Sequence, residues 1–169
     1  MLNYRNVFFC LFFLFFCFGT PSSNGAMLDD SAFKHVLVLH SYHFNFAWTR
    51  EINNGILESF KNREEDIKLH FEFLDTRRFK NPNHLNTIQR FINEKYQNNS
   101  IDAILTSDDA AFRFALRLRS QFNPEPPIAF CGINEMSLAQ LKDIPDITGV
   151  MEEPDVRDTA KLAVRLFPN

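Results

Sequence analysis

Residues 103–131 read AILTSDDAAFRFALRLRSQFNPEPPIAFC, and they decide the fold. Ala103 to Thr106 (AILT) is a short apolar run of strand character, bounded by polar residues. Asp108 to Phe122 follows as a helix, with Phe112, Ala115, Leu116 and Leu118 on its apolar side. Pro124, Pro126 and Pro127 stop it, because proline removes a backbone donor and restricts the residue before it. Ile128 to Cys131 (IAFC) is then a second apolar strand. A strand, a helix and a strand in about 30 residues form one βαβ unit, whose two strands lie parallel in one sheet.

The same alternation extends in both directions. Upstream, His35 to His40 (HVLVLH) is an apolar, β-rich run suited to a strand covered on both faces. A helix capped by Thr49 is expected next, since Ile52, Ile56, Leu57 and Phe60 recur at helical spacing. Ile67 to Leu74 (IKLHFEFL) alternates strictly and predicts a further strand. Asn81 before Pro82 is a capping residue ahead of a first-turn proline, and Leu85, Ile88, Phe91 and Ile92 mark one helical face. Downstream, Met136 to Leu141 predicts a short helix and Ile147 to Met151 a weaker fifth strand. Asp155, with Asp158 three residues later, starts a last helix through Val156, Ala160, Ala163 and Phe167. The expected class is α/β, a Rossmann-like parallel sheet with helices on both faces.

The amino terminus has a different character. A polar stretch with Arg5 precedes an unbroken apolar run, Val7 to Phe18, and then the small and polar residues Gly19 to Ala26. That order defines a secretory signal peptide, expected over 1–26, with the domain in 27–169. The apolar run is shorter than the roughly 20 residues of a bilayer-spanning helix, so cleavage is the better reading than permanent anchoring, and a membrane is expected only through export or anchoring. Phe16 is too bulky before Cys17 for a lipoprotein signal. Cleavage leaves Cys131 as the one thiol, so no internal disulfide forms in a periplasmic or other extracytoplasmic compartment. Removing Arg5 and no acid takes the formal charge from −3 to −4, which argues against a nucleic-acid partner and for a small solute.

In open parallel sheets, ligands bind beyond the carboxyl ends of the strands. The segments expected there carry Ser41, Tyr42, His43, Asn45 and Trp48; then Asp75, Thr76 and Arg77; then Ser107, Asp108 and Asp109; then Gly132 and Asn134. Hydroxyls, carboxylates, amides and aromatic rings on one rim suit a small polar ligand stacked on an aromatic. Each has a second reading. Asp108 and Asp109 also suit a helix start; Trp48 suits a hydrophobic staple; Arg77 and Arg78 suit a solvated basic pair; and Cys131 suits a buried thiol. His40 and His43 lie three apart, but the first ends a strand and no Cys is near in sequence to complete a zinc site. No phosphate-binding or dinucleotide fingerprint follows the first strand. No metal or cofactor is therefore expected, and no convincing nucleophile and base are paired, which leaves a secreted hydrolase using Asp108 and Asp109 as the rival class.

Four stretches together resemble the periplasmic-binding-protein-like family of ABC transporter substrate-binding proteins and extracytoplasmic sensor domains. They are VLVLHSYHFNFAWTREINNGI (36–56), DAILTSDDAAFRFALRLRSQF (102–122), PPIAFCGINE (126–135) and ITGVMEEPDVRDTAKLAVRLFPN (147–169). The resemblance implies a type I periplasmic-binding fold of two Rossmann-like lobes closing on a small molecule, of which this sequence carries the first. It implies Ser41, Tyr42, Trp48, Ser107, Asp108 and Asn134 as ligand-facing residues. It also implies an ABC permease as partner or, in the sensor alternative, the signalling module of a membrane histidine kinase or diguanylate cyclase.

Overall fold

A computed structural model describes residues 33–152 and 155–167. The expected signal peptide and its cleavage region lie outside them. Five parallel strands form one sheet: β1 (Lys34–His40), β2 (Ile67–Phe73), β3 (Ala103–Ser107), β4 (Ile128–Ile133) and β5 (Ile147–Met151). They are separated by helices α1 (Ala47–Phe60), α2 (Pro82–Tyr96), α3 (Asp108–Leu118) and α4 (Leu138–Leu141), and α5 (Val156–Leu166) follows the last strand. The α/β class with an all-parallel, Rossmann-like sheet is the one expected.

The strand order is β2-β1-β3-β4-β5. From β1 the chain moves outward to β2, then returns past β1 to β3 and continues in that direction. Right-handed crossovers then place α1 on one face and α2 and α3 on the other. The order reverses between β1 and β3, where adjacent loops leave in opposite directions and open a crevice at the carboxyl ends.

The two faces are filled unequally. On the α2 and α3 side, Leu37, Leu39, Ile104 and Ile128 meet Phe112, Phe114, Ala115 and Leu118 in one buried cluster. Each fully buried Leu, Ile or Phe of this cluster contributes about 1.5–3 kcal/mol. The central strand β1 is buried along six of its seven residues, which explains its apolar sequence. Edge strand β2 is half-buried throughout, and its alternation separates Phe71 and Phe73 from Glu72, which accepts from Lys95 Nζ at 2.6 Å and Tyr96 Oη at 2.8 Å on α2.

Several boundaries differ from expectation for local reasons. Helix α1 begins two residues before Thr49, with Phe46 at its cap and no side-chain capping bond. Thr49 is buried inside the first turn: the sheet-facing side claims it, so it does not cap. The α3 helix ends at Leu118 and tightens into a 3₁₀ turn over Arg119–Gln121 before the prolines. The short α4 starts at Leu138 because Ser137 and Gln140 form a reciprocal capping box there. Asn81 and Asp155 cap α2 and α5 as their sequences predict. Helix α5 forms but buries none of its residues.

Candidate functional site

At the carboxyl end of the sheet, Ser41 organises the loops. Its hydroxyl is fully buried, donates to the Ser107 carbonyl at 2.9 Å and accepts from the Ala111 N–H at 2.8 Å. The first turn of α3 is therefore capped from the β1 loop and not by its own aspartates. The Ser41 carbonyl in turn accepts from Thr76 N and Thr76 Oγ1, both at 2.9 Å. One serine thus ties the ends of β1, β2 and β3 together. Ser107 is buried as well, its Oγ joined to His40 Nδ1 at 2.8 Å. Both serines were expected on the rim; the structure places them beneath it, as framework.

Three of the other expected residues meet at the crevice. Asp108 directly follows β3 and has φ 68°, a left-handed conformation uncommon outside glycine and enriched in Asp and Asn. Its Oδ2 accepts from Trp48 Nε1 at 3.0 Å, and its carboxylate is also hydrogen-bonded to the Tyr42 hydroxyl. Burial raises the Asp108 pKa to about 6, with Glu152 and Asp109 adding to the rise and the Trp48 and Tyr42 bonds opposing it. Burial and the neighbouring Asp108 carboxylate likewise push the Tyr42 hydroxyl up. Asp108 makes no ion pair among the described residues.

Trp48 rides on the first turn of α1 and remains 40% exposed. Its ring lies over Gly132, where an added Cβ would come within 3.3 Å of Trp48 Cζ2. Gly132 also has φ 72°, so a side chain there is disfavoured by conformation and by space. The sequence pointed to Trp48 as platform or staple; the structure gives it a seat and a hydrogen bond to Asp108.

Asn134, the remaining expected residue, is exposed at the edge of the crevice, with its Nδ2 3.4 Å from Glu152 Oε2. Its backbone N–H donates to Asp109 Oδ2 at 3.3 Å, while Glu135 N–H donates to Asp109 Oδ1 at 3.1 Å. Asp109 is buried and holds the β4 loop in place. The adjacent acids therefore separate, one facing the crevice and one clamping a loop. The two arginines separate too. Arg78 is hydrogen-bonded and ion-paired to Asp75. Arg77 lies over the rings of Phe46 and Tyr42, at 4.8 and 5.6 Å, and adds a cation to the aromatic wall.

Fold and site together define a doubly wound parallel α/β domain in which Tyr42, Trp48 and Asp108 meet at the carboxyl end of the sheet, at its topological switch point. Comparison with known proteins finds no matching family model, curated protein or solved structure.

Proposed function

We propose that this domain is a non-enzymatic, extracytoplasmic solute-binding module, the first lobe of a periplasmic-binding-like protein serving an ABC-type uptake system. The observation that supports it best is Asp108, held in a left-handed conformation between Trp48 and Tyr42. Backbone strain of this kind persists where surrounding structure holds it and is concentrated at ligand sites. A small solute with a hydrogen-bond donor for Asp108 and a flat surface for Trp48 fits the chemistry. Ser41 and Asp109 fix the loops that carry these residues, which lowers the ordering cost of binding.

The described residues wall the crevice from one side, whereas small-molecule sites commonly bury 70–90% of a ligand. Unaided affinity is therefore expected near the millimolar range, about −4 kcal/mol. The test is titration of small polar and aromatic solutes, followed through the fluorescence of Trp48, the only tryptophan in the chain. A saturable response that Asp108→Ala abolishes supports the reading. A panel without any response, or a response indifferent to Asp108→Ala, overturns it.

A further inference from the structure

The segment joining β2 to α2 and the adjacent helix α3 frame a cavity of about 330 Å³. Thr76, Phe79, Lys80 and Asn81 line it from the segment, and Arg113 and Arg117 from the helix. It shares no residue with the group formed by Tyr42, Trp48 and Asp108. Its volume falls within the range of small-molecule pockets, and no acid is among its described lining residues.

Three cations therefore border one space. Arg113 and Arg117 lie one turn apart on α3, a like-charged spacing that weakens a helix. Arg117 offsets part of this, since a cation in the last turn meets the negative end of the helix dipole. Arg113 sits too early in the helix for that, and is instead 2.6 Å from Glu135 Oε2 in an exposed pair. Lys80 and Arg117 have no ion-pair or side-chain hydrogen-bond partner among the described residues. The acids of the adjoining loops are already engaged, Asp75 with Arg78 and Asp109 with the backbone N–H groups of Asn134 and Glu135. Two positive charges thus remain uncompensated at this cavity.

The groups left for a ligand are mainly donors. The Thr76 hydroxyl has given its proton to the Ser41 carbonyl, and Asn81 Oδ1 accepts from the Asn83 N–H at 2.9 Å, which leaves the Asn81 amide NH2 to donate. A guanidinium presents paired N–H groups to the oxygens of one anion, and an ammonium a compact charge. Phe79 is exposed and stacked by one face on His84, so apolar surface lies beside the cations.

We propose that this cavity is an anion site for a phosphate dianion, free or as the monoester of a small alcohol, with its oxygens on Lys80 and Arg117 and any organic group against Phe79. The two charges of the dianion match the two unpaired cations, whereas a carboxylate brings one.

The test is calorimetric titration of the full chain at about pH 8, where a phosphate monoester is dianionic, in a buffer without other oxyanions and at fixed ionic strength. Inorganic phosphate and phenyl phosphate should each bind saturably, and phenol not at all. Benzoate should bind at least about tenfold more weakly than phenyl phosphate, having lost one charge-assisted hydrogen bond. Lys80→Gln and Arg117→Gln should each weaken phosphate binding about tenfold, for the same reason. Both side chains are exposed, so the variants should keep the native fold, which thermal melts check. Arg90→Gln removes an exposed cation that does not line the cavity and should leave binding unchanged. Tighter binding of phenyl phosphate than of phosphate assigns a monoester, and the reverse assigns the free ion. The proposal is overturned if neither phosphate species binds or if benzoate matches phenyl phosphate. It is equally overturned if Arg90→Gln weakens binding as much as Arg117→Gln, because net charge and not this cavity would then set the affinity.

Discussion

Replacing Asp108 by Asn should stabilise the domain at neutral pH and leave it nearly unchanged in acid. The Asp108 carboxyl has a pKa raised from 3.8 to about 6, primarily by burial. The folded chain consequently holds this proton more tightly than the unfolded chain does. The stability so gained is fully present below about pH 3.8 and is lost as pH rises through about 6. A shift of roughly two units has a ceiling of about 3 kcal/mol. Asp108 is only half-buried, and solvent screening reduces the expected cost of its charge to about 1 kcal/mol.

Asparagine tolerates the same left-handed conformation. Its carbonyl can accept from Trp48 Nε1 and its amide can donate to the Tyr42 hydroxyl, so the local geometry is retained. Thermal melts of both chains between about pH 4 and 8 isolate the effect, because other titrations largely cancel in the difference. The Asn variant should gain little at the acid end, gain steadily up to about pH 6, and hold a plateau of about 4 °C above it. A difference that does not vary with pH would refute the reasoning. So would an Asn variant less stable at neutral pH, since the bonds from Trp48 and Tyr42 would then outweigh the burial of charge.

Ser41→Ala should lower the unfolding free energy by about 2 kcal/mol, because it leaves the Ala111 N–H buried and unpaired, and denaturant titration would show it. Gly132→Ala should cost about 1–2 kcal/mol through its positive φ. The same substitution should shift the emission of Trp48, whose ring must give by a few tenths of an ångström to admit the methyl; unchanged fluorescence would mean that the ring does not occupy the Gly132 seat.

The fold was legible because burial on a parallel sheet imposes long-range patterns that survive in the sequence. The run HVLVLH is apolar since β1 has neighbours on both edges and both faces, and IKLHFEF alternates since β2 is an edge strand. The site was legible only in part. Position at the end of a strand brings a residue near the crevice but does not fix which way its side chain turns, so Ser41 and Ser107 looked like rim residues although both are buried. The unequal fates of Asp108 and Asp109 depend on one positive φ, which neither local composition nor periodicity encodes. Thr49 was misread for a related reason: capping preference is a local property, while its burial is set by the sheet beneath α1.

The packing also bears on how firmly each wall of the crevice is held. Tyr42 and Asp108 belong to segments fixed by Ser41 and backed by the buried α3 side of the sheet. Trp48 belongs to α1, which contributes no residue to that core. Elements with few buried apolar contacts occupy the low end of the local-stability range. The aromatic platform is therefore carried by a less firmly held element than the carboxylate it contacts, across one 3.0 Å hydrogen bond. A crevice ligand stacked on Trp48 must therefore order α1 as it binds, and a substitution that tightens α1 against the sheet should raise crevice affinity by reducing that ordering.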